Sequence, residues 1–242
     1  MKILFLICLY VLSIYAKQNI VAGGGAYMQT QPYKNVDAKI VPSPVIFYEY
    51  KNLYVRWTRV GAYVFGKKSN DISWGVSLTA QPRIYGYESS DIKGMGNRKS
   101  TIESGIAYSI SKNKTSFELL YLTDILDTQK RWVINSKLNY EFKVGKLNFY
   151  PSLLLSYQSS AFTNYYYGVK QSETTPTREY YNPNAGLQIG VQTYINYPLT
   201  NKLSAFFNLR IDMLSNQAKD SPLVEDNYIY SGLASLIYKF EF

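Results

Sequence analysis

The side chains that most often carry out chemistry are scarce in this sequence. Its 242 residues include no histidine, and the single cysteine is Cys8. Without an imidazole there is no Ser-His or Asp-His relay and no His-ligated metal site. One thiol near the start leaves the rest of the chain without a disulfide or a Cys-ligated metal. No cofactor and no metal are therefore expected. The nearest approach to an acid–base pair is Asp124 with Asp127, and two carboxylates in a loop read as solvated surface. Chemistry by contact is better represented. Tyr occurs 25 times, most densely in Asn164-Tyr165-Tyr166-Tyr167-Gly168-Val169. That cluster reads as an aromatic girdle with loop packing, or else as a contact loop exposed outside or folded into a lumen.

The formal charge is +9, but the basic residues are scattered singly, with no block larger than a pair such as Lys67-Lys68. This argues against a nucleic-acid partner. Residues 1–16 read as a signal peptide. Lys2 gives a positive start, Ile3 to Ile14 form an apolar run too short for a membrane helix, and Ala16 offers a cut before Lys17. Cys8 lies inside that run, which disfavours a lipoprotein. Residues 17–242 are then one mature domain.

That domain alternates with period two, the signature of half-buried strands. In 202–214, Leu203, Ala205, Phe207, Leu209, Ile211 and Met213 oppose Lys202, Ser204, Asn208, Arg210 and Asp212. Similar patterns run through 72–84, 131–144 and 184–197. These segments have about 11 to 15 residues, whereas soluble strands average ~5–6 and a tilted membrane-spanning strand needs ~9–11. Charges such as Arg83, Glu103, Glu118, Arg131, Lys137, Glu141, Lys143, Arg210, Asp212, Lys239 and Glu241 fall on the polar faces, and the apolar faces carry none. A lipid-facing outside and a wet inside follow, and the sheet must close to satisfy its backbone. The fold class is all-β: a closed antiparallel transmembrane β-barrel. Connectors alternate short and long, as periplasmic turns and outer loops do. Eleven strand candidates are legible: 20–30, 43–50, 53–65, 71–85, 101–111, 115–125, 131–144, 147–159, 184–197, 202–214 and 228–241. Single-chain barrels have even numbers, so ten or twelve are expected. The apolar phase flips within 53–65, which marks either a bulge or a break between two short strands. Tyr238, Phe240 and Phe242 at the end of the last strand resemble the signal read by the barrel-assembly machinery. The expected surroundings are outer-membrane lipids.

The residues also carry a family resemblance. Asn164 to Val169, followed by Glu173, Tyr180, Pro183 and Gly186, is the most specific segment. Gly94-Met95 with Arg98, Glu103 and Gly105 is a second, and Gly23, Gly25, Pro32, Tyr33, Pro42, Pro44 and Tyr48 are a third. In this order the chain resembles the MipA/OmpV family, the MltA-interacting outer-membrane proteins, from about residue 19 to 242. The resemblance implies a non-catalytic scaffold that joins a lytic transglycosylase to a murein synthase. Other members are described as adhesins or as linked to stress and antibiotic response.

From the residues themselves, the scaffold reading meets a difficulty. Short periplasmic turns offer little area, while a stable interface buries ~1,200–2,000 Å². The alternatives are a narrow diffusion channel and a surface adhesin. A barrel of this size favours a plugged or narrow lumen.

Overall fold

The computed structural model describes residues 19–69, 71–126 and 131–241. The signal-peptide reading, Asp127 and Phe242 lie outside them. The chain forms an antiparallel barrel. In chain order the strands are β1 (Asn19–Gln29), β2 (Lys39–Tyr50), β3 (Leu53–Arg56), β4 (Arg59–Lys67), β5 (Ile72–Arg83), β6 (Thr101–Lys112) and β7 (Thr115–Asp124). They continue with β8 (Trp132–Tyr140, resumed as Phe142–Val144), β9 (Leu147–Gln158), β10 (Gly186–Pro198), β11 (Leu203–Met213) and β12 (Tyr228–Glu241). Both parts of β8 pair with β9, so they are one strand interrupted at Glu141. The barrel therefore has twelve strands, and β1 pairs with β12 from Asn19↔Glu241 to Gln29↔Ser231 to close it.

The distribution of side chains is that of a soluble protein turned inside out. Leu78, Ile106, Val191, Leu209 and Leu236 are each at least half exposed on the outside. Ser77, Thr79, Glu103, Glu118, Gln192, Asn208 and Ser235 are buried within. Period-two alternation sends one set into lipid and the other into the lumen. Tyr228 and Tyr230 at one end of β12, and Tyr238 and Phe240 at the other, bracket Ala234 and Leu236 on the lipid face. Aromatic rings at both boundaries suit a bilayer's two interfaces.

The phase flip at 53–65 is a break between strands. β3 ends at Arg56, β4 starts at Arg59, and Trp57-Thr58 form the turn between them. A bulge also occurs, but lower in β4, where Tyr63 pairs with Ser77 and Phe65 with Val76. Val64 and Phe65 consequently both face outward. β2 begins at Lys39, earlier than the sequence suggests, because Pro42 and Pro44 are accommodated within it.

At the periplasmic end the connections are minimal. Asn113-Lys114 and Gly145-Lys146 are two-residue turns whose first residue has φ of 53° and 58°. Positive φ is what a tight hairpin turn of this kind requires. The long connections, 30–38, 84–100, 159–185 and 214–227, gather at the opposite, outer end.

Candidate functional site: a sealed outer end and an open periplasmic recess

The outer end is closed by loops packed into the barrel mouth. Helix α1 (Ser160–Tyr167) is started by Ser159, whose hydroxyl accepts from the Phe162 N–H at 3.2 Å. Capping of this kind satisfies a free donor of the first turn. The helix turns Phe162, Thr163, Tyr166 and Tyr167 inward as one buried face. Tyr33 from the first outer loop and Tyr85 and Tyr87 from the loop after β5 meet them. Tyr85 and Tyr167 share a hydroxyl hydrogen bond of 2.6 Å. Tyr33 stands edge-on to Tyr87 with centroids 4.6 Å apart, and Tyr85 does the same to Tyr166 at 5.0 Å. Each such aromatic pair adds about 0.5–1.5 kcal/mol beyond burial. The rings rest on inward residues of the wall, including Leu120, Leu122, Val133 and Ile229.

Burial pushes the phenols up. Tyr87 and Tyr166 are each raised to about 12, and Tyr33, Tyr85 and Tyr167 are raised as well. All five are neutral across the physiological range, so the cluster is an apolar and hydrogen-bonded plug and supplies no base.

Ion pairs pin the loops to one another. Arg98 donates to both carboxylate oxygens of Glu173 at 3.1 and 3.0 Å, with both side chains almost fully buried. Glu173 also accepts from the backbone N–H of Gly96 and of Lys170. Burial would raise this carboxyl, but those two backbone donors and Arg98 outweigh it, and the net direction is down. Arg131 is paired with Asp124 and lies 3.5 Å from the centroid of the Tyr165 ring. Asp124 also accepts from Thr101. The carboxylate that reads from sequence as solvated surface is thus a buried ion-pair partner. A buried carboxylate needs such partners. Ser221 donates to the Tyr167 carbonyl, and the Lys34 N–H to the Leu223 carbonyl, binding the last outer loop to the first and to α1. Gly86 makes one close approach possible. Its φ is +102°, and a Cβ there would lie 1.9 Å from the Arg98 carbonyl oxygen.

The sequence-derived motif residues are thereby located. Tyr166, Tyr167, Gly168 and Val169 are buried, Tyr165 is half-buried over Arg131, and Asn164 is exposed. Met95, Arg98 and Glu173, separated in sequence, meet the same plug. Glu103 is inside the lumen, bonded to Arg83. Arg210 pairs with Asp212. Glu141, Lys143, Lys239 and Glu241 sit at the periplasmic end. Tyr238 and Phe240 face outward on β12. Sequence reasoning missed Tyr33, Tyr85 and Tyr87 as plug residues, because single tyrosines in separate loops carry no spacing signal. It also missed Arg56 and Arg59. These flank the Trp57-Thr58 turn, and Arg59 grips Glu118 across the lumen with two bonds of 2.8 and 2.5 Å.

Beneath the plug is a lumen cavity of about 830 Å³. A second recess of about 510 Å³ occupies the periplasmic mouth, with Tyr150, Phe206 and Ile237 in its wall and Lys202 and Lys239 among its lining. Val21, Phe47, Lys137 and Tyr194 line both.

Comparisons with known proteins identify relatives of this sequence. The family model described as MltA-interacting protein MipA matches residues 22–240. The MltA-interacting protein of Escherichia coli K12 is 27% identical over 234 residues, covering 93% of this chain and 92% of its own. Outer membrane protein Omp26La of Vibrio anguillarum is 26% identical over 221 residues, covering 91% and 86%. OmpV of Vibrio cholerae is 25% identical over 177 residues, covering 73% and 69%. Among solved structures, the translocator domain of the autotransporter NalP from Neisseria meningitidis aligns with 99% of this chain and 94% of its own, at 7% identity and a TM-score of 0.42. Neither the family description nor these relatives' names is that of an enzyme. With a matching model over nearly the whole barrel, the chain belongs to the MipA/OmpV family of outer-membrane proteins.

Proposed function

We propose that this barrel is a non-catalytic docking platform in the bacterial outer membrane, receiving a murein-remodelling enzyme on its periplasmic side. One observation carries the reading. Each of the five periplasmic turns presents an exposed lysine: Lys51, Lys68, Lys114, Lys146 and Lys202. They form a basic collar around the periplasmic recess. The recess eases the difficulty of small turns, because a partner segment inserted there would cover the half-buried Tyr150 of its wall as well as the rim. The collar selects an acidic partner surface and speeds its encounter. The name of the Escherichia coli relative, MltA-interacting protein, supports a murein-enzyme partner, and a lytic transglycosylase joined to a murein synthase is the arrangement the resemblance implies.

Photo-crosslinkers at Lys67, Lys112 and Asn201 in the native host test the reading. Capture of a lytic transglycosylase or a murein synthase is expected, falling in the K146E/K202E protein and at raised salt. Capture of only lipids, lipoproteins and assembly factors, with murein enzymes present, would refute it. A second reading, a narrow channel that conducts when the outer plug opens, is favoured by the four residues that line both cavities. It predicts small, discrete conductance in a planar bilayer.

A further inference from the structure

The barrel wall is incomplete at one place. β3 has four residues, and its turn at Trp57-Thr58 stops well below the outer ends of the strands on either side. On β2, Pro44 lies opposite Gly24 of β1 and cannot donate to it. The even residues Ile40, Pro42, Pro44 and Ile46 therefore turn their backbone away from β1, toward β3. The Ile46 carbonyl bears this out by accepting from the Trp57 N–H at 2.8 Å. Above Ile46 that edge has no ladder partner among the described residues. On β5, the last rung to β4 is Val60↔Ala80. The next residue facing that way is Pro82, since its partner Ile102 directs its carbonyl to Ile125 beyond β7.

Both free edges thus carry proline where an unpaired N–H would otherwise point into the opening. Proline is confined to such edges in sheets and protects them from strand addition. The opening is bounded above, where Gln29 donates to the Ile84 carbonyl at 3.1 Å. Its sill is Trp57, held at φ 56° with its indole N–H on the Ser43 hydroxyl at 2.9 Å. A bulky residue in the left-handed region is uncommon and points to a constraint. At the sill the two rails stand three strand spacings apart, roughly 14 Å. The β2 rail lies in the apolar band: Ile40 and Ile46 face lipid, and the Tyr48 and Tyr50 rings follow toward the periplasmic boundary.

We propose that this window is a lateral portal between the bilayer and the lumen cavity. The plug shuts the cavity from the outside medium, so ligands entering by the window come from lipid and must dissolve in it. Inside, Arg59–Glu118, Arg83–Glu103, Arg210–Asp212 and Arg56–Glu49 are already paired, and Lys137 lies 4.0 Å from Glu118, so the charges of the lining are held by one another. The Gln158 amide oxygen is buried without a donor among the described residues and lines the cavity. The portal therefore takes small neutral molecules that partition into lipid and carry one or two hydrogen-bonding groups, a phenol being the simplest. The cavity of about 830 Å³ is of ligand size. This is independent of the periplasmic docking.

The test uses the whole protein in liposomes. Trp57, Trp74 and Trp132 are the only tryptophans, and the last two lie on the outer wall, so W74F/W132F leaves Trp57 as sole reporter. Lipids brominated on the acyl chain should quench Trp57 by at least half. An F206W reporter in a W57F/W74F/W132F background, behind continuous wall, should lose under a tenth. If F206W does not assemble, I237W supplies the same comparison. 4-Bromophenol should then quench Trp57 saturably. Lipid quenching of Trp57 no greater than that of the walled reporter would overturn the portal. Quenching by 4-bromophenol that rises linearly would overturn the ligand class.

Discussion

The two ends of this barrel are built on opposite plans. At the outer end, four long connections lock into one another through buried tyrosines and the buried Arg98–Glu173 pair, and a second buried pair, Arg131–Asp124, lies against the Tyr165 ring. At the periplasmic end, turns as short as two residues stand apart around an open recess, and their lysines face solvent. The outer loops resemble a protein core in their packing, although loops usually run over a surface. Buried charges of this kind are costly to leave unpaired. Tight packing at one end and accessible charge at the other are what the proposed docking platform requires.

That contrast can be broken most severely at Arg98. R98A leaves Glu173 buried and unpaired, at a cost of about 3 kcal/mol to the closed plug. Trypsin cleavage at Lys93 or Lys99 in the folded barrel should accelerate roughly a hundredfold, because cleavage tracks the open population. An unchanged rate would show that the pair does not hold the loops. Acid should act on the same contact more gradually. The Glu173 carboxyl is lower in the folded plug than its ordinary 4.5, so its contribution is present above that value and is lost as pH falls through the folded one. Pepsin sensitivity of the loops should rise below about 4.5 in the native protein, and E173Q should lack this pH dependence. Y167F removes the bond to Tyr85 and should loosen the plug by about 1 kcal/mol, a fewfold gain in cleavage. The smallest effect belongs to the other end. Gly145 has φ of +58°, and a methyl added there would meet only open space. G145A should therefore cost about 1 kcal/mol of local turn strain and leave loop cleavage unchanged.

Much of this contrast is legible in the sequence. Period-two alternation gives the strands, and the inward charges are where the pattern puts them. Alternating connector lengths give the two ends. The family segments Met95, Arg98, Tyr165 to Val169 and Glu173 mark the residues that build the plug. The plug itself is not legible, because its contacts join Tyr33, Tyr85 and Tyr167 across long separations with no periodic pattern. The β3–β4 turn is hidden for a different reason. Trp57-Thr58 contains no Gly, Asn or Pro to announce a turn, so two short strands read as one with a flipped phase. Pro42 and Pro44 likewise shorten β2 on paper, since proline argues against a strand unless the edge is free.

The most direct measurement places a single cysteine in the periplasmic recess. S204C, in a C8S background, lines that recess. A polyethylene-glycol maleimide too large for porins should leave it unmodified in intact cells and modify it rapidly once the outer membrane is permeabilised. Equal labelling in intact cells would mean that the recess faces the outside medium, and would contradict a barrel read from the periplasm.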